Sequence, residues 1–188
     1  MPVIAITLLP GYPADARERL VDRVATAARS VVLAPEAGTT VFVHEAATYR
    51  RDGRIASAGG PVVPEATPVV RAFLEAMGRR DLEAAAQWLA PGFEMVFPGG
   101  RAMHRLHELV EWAKGRYQSV EKRCERFEES WQGDVTVVHC SGTLQGRWPD
   151  GRPFEGVRFI DRFELESGKI RRQEVWNDLA ESRFADPL

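Results

Sequence analysis

Lysine is scarce in this chain. Only three lysines, Lys114, Lys122 and Lys169, occur among its 25 basic residues. None lies in residues 1–60, so chemistry that needs a lysine amine for a Schiff base is excluded from that segment. The net charge is −2, and the chain therefore lacks the excess of positive charge that nucleic acids or anionic membranes attract. We expect a small-molecule substrate, and neither nucleic acid nor a membrane as a partner.

Cysteine and long apolar runs are also rare. Cys124 and Cys140 are too few for a disulfide framework and suit a reducing compartment. The apolar run after Met1 is flanked by prolines, is too short to cross a membrane and lacks the basic region of a signal peptide. We therefore expect a cytoplasmic protein. The sequence has no glycine-rich phosphate loop and no metal-ligand cluster, so we expect no cofactor and no metal.

A composition of 44% hydrophobic and 28% charged residues is that of an ordinary globular protein. The segment 56–68 contains two glycines and three prolines among small residues, which cannot continue a helix or a central strand. This segment predicts a linker at 61–67 between a first domain, 1–60, and a second domain, 68–188.

The first domain has the pattern strand, helix, strand. Residues 3–9 are apolar and β-branched, residues 14–33 have apolar side chains at helical spacing, and residues 39–44 are again β-branched. In one sheet these strands would be parallel, with a right-handed crossover. A unit this small leaves apolar surface uncovered, so we expect it to pair with a second copy in a homo-oligomer.

The second domain begins with helices and ends with long strands. Helices are predicted at 68–78, 82–89 and 104–118, and strands at 93–97, 123–131, 134–148, 154–165 and 169–177. This order predicts an α+β fold with helices on one face of a curved antiparallel sheet.

Pro2 is the most specific candidate for a catalytic group in the first domain. If Met1 is removed, Pro2 becomes a free secondary amine at the start of an apolar strand, where desolvation or nearby cations lower its pKa toward neutrality. Such an amine is a good general base. Alternatively, this proline has no chemical role.

The strand lengths, the turn at Gly11 and the segment from Thr39 to Glu45 resemble the 4-oxalocrotonate tautomerase family over residues 2–60. The resemblance implies that Pro2 moves a proton between carbon atoms of a small enol or keto substrate. The positions of the two binding arginines of that family hold Tyr12 and Thr40, and its apolar aromatic position falls near Ile55. Tyr12 either donates a hydrogen bond to an enolate oxygen or only packs beside the turn.

Asp161 stands out in the second domain. In the strand 154–165 it is the only charged side chain on the face that also carries Val157, Phe159, Phe163 and Leu165. A carboxyl group there must be paired, hydrogen-bonded or protonated. It is either an acid of a site or a structural carboxylate, with Trp176 or an arginine as its donor.

Residues 68–188 resemble the NTF2-like superfamily, in particular its SnoaL-like polyketide-cyclase and ketosteroid-isomerase branches. Val69–Gly78, Asp81–Ala90, Phe93–Gly99 and Phe159–Leu165 carry the resemblance. It implies a cone with helices on the concave face of the sheet and an apolar cavity, and it aligns Asp161 with an oxyanion-hole aspartate. The positions of the general base and of the helix-one tyrosine hold Phe97 and Phe73. We expect a pocket for a ring-sized ligand, formed by the substrate-binding residues Phe73, Trp88, Phe97, Phe159 and Trp176, with His104 at its mouth.

Three functions follow from these patterns. The first is a cofactor-independent tautomerase or isomerase in which Pro2 is the acid and base and the second domain binds substrate or assists. The second is a SnoaL-like cyclase or isomerase with its chemistry around Asp161. The third is a non-catalytic protein that binds small molecules or sets an oligomer.

Overall fold

The computed structural model describes residues 1–46, 48–56 and 62–184. The chain divides into two compact units, residues 1–62 and 63–188. The division falls within the segment 56–68, which is rich in glycine and proline. Residues 57–61 of that segment lie outside the described residues. No helix in the described part of the chain is long and apolar enough to cross a membrane.

The first unit contains a parallel β-α-β element. Strand β1 (Val3–Leu8) is followed by helix α1 (Ala14–Arg29) and by strand β2 (Thr40–Glu45), and β1 and β2 pair in parallel as predicted. A hairpin of β3 (Tyr49–Arg51) and β4 (Arg54–Ala56) follows. The helix ends four residues before the predicted end.

The sheet of the first unit has an exposed apolar face. Val3 is 65% exposed and Phe42 is 49% exposed, whereas Ile4 and Ile6, which alternate with Val3 along β1, are half-buried. Gly38 is the single buried residue among the described residues of this unit. The unit therefore has little core of its own, and the homo-oligomer remains a prediction.

The second unit is an α+β domain built on a six-stranded sheet. Its elements are α2 (Ala66–Gly78), α3 (Leu82–Ala86), β5 (Leu89–Val96), β6 (Ala102–Met103), α4 (Leu106–Ala113), β7 (Ser119–Gln132), β8 (Val135–Arg147), β9 (Pro153–Glu166), β10 (Lys169–Asn177) and α5 (Leu179–Phe184). The strand order is β6-β5-β10-β9-β8-β7. All pairs are antiparallel as predicted except β5 with β10, which pair in parallel.

Alternate side chains of β9 point into the hydrophobic core. Its inward residues, including Phe159, Asp161 and Phe163, are all buried, which confirms the predicted face. Phe73 of α2 packs edge-on against Phe163, with ring centroids 6.0 Å apart. Edge-on aromatic pairs of this kind add about 0.5–1.5 kcal/mol to the gain from burial.

Three bulges and the start of one strand differ from the predicted periodicity. The register shifts in β7 between Cys124 and Arg126, in β10 between Ile170 and Arg172, and in the pairing of β8 with β9 between Leu144 and Gly146. Strand β7 begins at Ser119, four residues earlier than predicted, because α4 ends at Ala113 rather than continuing to 118. Each difference changes which side chains face the interior.

Candidate functional site

A cavity of about 690 Å³ lies between helices α2 and α4 and strand β7. Its apolar lining includes Phe73, Leu74, Met77, Phe97 and Leu109. This volume and this kind of lining are typical of sites for small molecules.

Lys122, Asp161 and Gln173 form a polar cluster at the wall of the cavity. Lys122 Nζ and Gln173 Nε2 both donate to Oδ2 of Asp161, the latter over 3.1 Å. Asp161 is fully buried, whereas the side chain of Lys122 is 24% exposed and lines the cavity together with Gln173. The expectation that Asp161 must have a partner is therefore confirmed, and its partners are a lysine and an amide rather than Trp176 or an arginine.

The ammonium group of Lys122 also lies against an aromatic ring. Its Nζ is 4.7 Å from the ring centroid of Phe159, within the range of a cation–π contact. Phe159 thus supports the side chain that faces the cavity.

Two buried acceptors of the cluster have no partner among the described residues. They are Oδ1 of Asp161 and Oε1 of Gln173. A buried polar atom without a partner destabilises a protein by about 1–3 kcal/mol, so native structures rarely keep one without a reason. Because Gln173 lines the cavity, its orphaned oxygen suits a ligand that supplies a hydroxyl or amine hydrogen.

Tyr117 adds a hydrogen-bond donor to the cavity wall. Burial raises the pKa of its hydroxyl, although the charges of Arg80 and Arg116 oppose that shift. The phenol therefore stays neutral at physiological pH and keeps its proton.

The structure places two predicted pocket residues, Phe73 and Phe97, on the cavity. Phe159 and Asp161 are buried behind Lys122. Trp88 packs against the hydrophobic core as a half-buried side chain and is not part of the cavity lining, which corrects that prediction.

The predicted positions of His104 and Trp176 are wrong. His104 lies in a separate shallow hollow beside Ala90 and Phe93, where its Nδ1 is 3.2 Å from the carbonyl oxygen of Phe93. Trp176 is 52% exposed and points away from the cavity. The bulge in β10 turns Gln173 inward, so that Trp176, three residues later, faces outward.

In the first unit, two of the predicted site residues lie together. The backbone N–H of Thr40 donates to the carbonyl oxygen of Pro2 over 3.1 Å. Tyr12 is half-buried in the turn before α1, and Ile55 is 80% exposed on β4. While Met1 is attached, the nitrogen of Pro2 is an amide and is not basic.

Sequence reasoning missed Lys122, Gln173 and Tyr117 as site residues. A signal for Lys122 was present, because Val120, Lys122 and Cys124 alternate on one face once the strand is allowed to start at 119. The sequence contains no comparable indication for Gln173, because a bulge in β10 determines which face of the sheet its side chain occupies. Within the described ranges, no group of three or more His, Cys, Asp or Glu side chains is arranged to hold a metal ion.

Solved structures share the architecture of the second unit. An NTF2-like protein of unknown function from Burkholderia pseudomallei K96243 is similar at 25% identity and a TM-score of 0.52, over 61% of this chain and 92% of that one. TerC, crystallised with polyporic acid, is similar at 20% identity and a TM-score of 0.52, over the same shares of the two chains. At 20% identity the second likeness shows the fold alone.

No curated protein matches the chain significantly. The model of the SnoaL-like domain family matches residues 70–173, which hold most of α2, all of α4 and β7, and the residues that line the cavity. This match spans more than half of the chain, and the protein therefore belongs to the SnoaL-like domain family.

Proposed function

We propose that the protein is a cofactor-independent isomerase or cyclase of the SnoaL-like type, acting on a small keto or enol compound held in the cavity of the second unit. The observation that carries this proposal is the cluster of Lys122, Asp161 and Gln173 at the wall of a cavity whose surface is mostly apolar. An apolar enclosure strengthens the electrostatic effect of the few polar groups inside it.

Lys122 is the group that stabilises developing negative charge. Its ammonium polarises a substrate carbonyl, and the ion pair with Asp161 orients it. The free Oε1 of Gln173 accepts the hydrogen of an enol on the same substrate. In a cyclisation, the enol carbon attacks the polarised carbonyl carbon, a carbon–carbon bond forms, and the enol proton ends on the new hydroxyl group.

Tyr117 is the second donor for the developing oxyanion. Because burial raises the pKa of its hydroxyl, it donates a hydrogen bond without losing its proton. Lys122 and Tyr117 both line the cavity, and an oxyanion hole is usually built from two or more hydrogen-bond donors.

The test uses an intramolecular aldol reaction. 2,6-Heptanedione closes and dehydrates to 3-methyl-2-cyclohexenone, whose conjugated chromophore is followed by ultraviolet absorbance. We expect Lys122→Met to lose about 100-fold in rate, in line with the loss of one oxyanion donor. Lys114→Met is the matched control, because Lys114 is exposed and pairs with Glu111 on the surface of α4. Equal rates for Lys122→Met and the wild type, with equal circular dichroism, would overturn the proposal.

The first unit supports a second candidate, a tautomerase that uses Pro2 as acid and base. Its support is the position of Pro2 at the start of β1, where it is half-buried and its carbonyl oxygen accepts the hydrogen bond from Thr40. Tautomerisation of phenylpyruvate enol by wild type, Pro2→Ala and Lys122→Met separates the candidates. Loss in Pro2→Ala alone supports this one. A native mass that includes Met1 excludes it, since the amide nitrogen is not a base.

A further inference from the structure

Cys124 and Cys140 form a thiol pair beside the cavity. Cys124 on β7 pairs in register with Gly142 of β8, two residues from Cys140, so the two cysteines lie close together on adjacent strands. Cys140 is fully buried, whereas Cys124 is partly exposed and lines the cavity. A small molecule in the cavity therefore meets the sulfur of Cys124 and not that of Cys140.

The surroundings of Cys124 favour its thiolate. The hydrogen bond with Cys140 lowers the pKa of Cys124 to about 7, and the charges of Lys122 on β7 and Arg71 on α2 act in the same direction. Burial and the charge of Asp161 on β9 oppose this shift. The pKa of Cys140 is raised by the same hydrogen bond and by burial, so Cys140 remains the donor. Nucleophilic cysteines have this kind of environment.

A second observation points to a ligand in the same cavity. Gln173 is 2% exposed, lines the cavity and keeps an amide oxygen without a partner. The cavity thus combines the thiol of Cys124, a nucleophile, with the unpartnered amide oxygen of Gln173, a hydrogen-bond acceptor, on a mostly apolar surface. A conjugated ketone that also carries a hydroxyl group satisfies both.

We propose that Cys124 is a covalent attachment site for hydroxylated α,β-unsaturated ketones. The thiolate electron pair forms a carbon–sulfur bond at the β-carbon, and the π electrons of the double bond move to the carbonyl oxygen. The resulting enolate takes up a proton from water at its α-carbon, which replaces the proton that the thiol released. The net reaction is the reversible addition of S–H across the double bond and needs no oxidant or reductant.

Covalent capture by Cys124 does not depend on the oxyanion stabilisation that the proposed function assigns to Lys122. An experiment can therefore disprove one proposal without disproving the other. Asp161→Asn should impair the aldol reaction, because Lys122 loses the group that orients it. The same variant should retain capture by Cys124, since the carboxylate opposes formation of the thiolate.

The experiment is intact-protein and peptide mass spectrometry after exposure to 4-hydroxy-2-cyclopentenone. We expect one adduct per chain, on Cys124. It should form several-fold faster than on free N-acetylcysteine at pH 7, because an ordinary thiol, with a pKa of about 8.5, is mostly protonated there, and this outweighs the lower nucleophilicity of a thiolate with a lowered pKa. 2-Cyclopentenone, which lacks the hydroxyl group, should show a smaller ratio to the free thiol. Cys124→Ser should give no adduct.

Alkylation by iodoacetamide is a second measurement. It can be made on the wild-type protein, so it does not depend on whether a variant folds. The rate of alkylation at Cys124 should rise through a midpoint near pH 7, whereas Cys140→Ala should shift that midpoint upward and match the wild type at pH 9. An adduct on Cys140, a midpoint near that of free cysteine, or a hydroxyenone rate no greater than that of N-acetylcysteine would each overturn the proposal.

Discussion

Lys122 Nζ donates a hydrogen bond to Oδ2 of Asp161, and this contact joins the outermost strand β7 to β9 in the interior of the sheet. Asp161 has no exposure to solvent, while the lysine side chain is 24% exposed. The pair is therefore asymmetric, because the carboxylate depends on the lysine for its charge balance, whereas the ammonium keeps access to the cavity. That asymmetry makes the lysine the functional partner and the aspartate its support.

Removal of the lysine should be more damaging to stability than neutralisation of the aspartate. Lys122→Met leaves an uncompensated buried carboxylate, which destabilises a protein by about 3–5 kcal/mol. Asp161→Asn leaves a lysine that is already partly solvated, and its effect should be smaller. Urea denaturation at pH 7 measures both free energies of unfolding.

The double variant Lys122→Met/Asp161→Leu is the control for this pair. Replacement of both partners by apolar side chains removes the buried charge, so the double variant should recover most of the loss caused by Lys122→Met. A double variant that is less stable than Lys122→Met would contradict this account.

Gly142 should not tolerate a side chain. A Cβ at this position would lie 2.0 Å from the carbonyl oxygen of Arg123, beside the bulge at Glu125. Overpacking of this kind costs about 1–3 kcal/mol or more, and here the obstacle is backbone. Gly142→Ala should lower the thermal midpoint by several degrees. Gly115→Ala is the matched control, because a Cβ there meets nothing within 4 Å.

Glu108 should stabilise helix α4 in a manner that depends on pH. Hydrogen bonds from the backbone N–H groups of His104 and Arg105 lower the pKa of its carboxyl group. A carboxyl group with a lowered pKa in the folded state contributes stability above its unfolded pKa of about 4.3 and loses it as the pH falls. The stability difference between wild type and Glu108→Gln should therefore be largest near neutrality and vanish in acid. A difference that is constant from pH 7 to pH 3 would refute this role.

Tyr117→Phe should reduce turnover without a comparable loss of stability. The substitution removes one neutral donor from the cavity wall, for which about a tenfold loss of rate in the aldol assay is expected, less than for the charged lysine. Tyr49→Phe, in the hairpin of the first unit, is the control and should leave the rate unchanged. Unchanged turnover in Tyr117→Phe would remove the hydroxyl group from the mechanism.

Several features of the fold and the site were predictable because they depend on short-range periodicity. The alternation along 154–165 placed Asp161 on the buried face with Phe159 and Phe163, and the structure confirms it. The helical spacing of Phe73 likewise put that ring against the sheet. In both cases a period of 2 or 3.6 residues is unbroken around the residue concerned, because the one bulge of β9 lies near its start, at Gly156.

The misplaced residues lie where that period is interrupted. Trp176 was assigned to the pocket, but the bulge after Ile170 inserts one residue and reverses the faces beyond it. Lys122 was overlooked because the end of α4 and the start of β7 are separated only by a turn, and strand ends carry weak local signals.

The sequence by itself determined that a carboxylate would sit on an apolar strand face and that a β-α-β unit would precede a helix-rich and strand-rich second half. Only the tertiary structure decided which side chains meet that carboxylate. Lys122, Gln173 and Asp161 come from three strands separated by 39 and 12 residues along the chain. The reason is physical: strand pairing and bulges, which arise from contacts across the sheet, bring these groups together, and no local pattern records them.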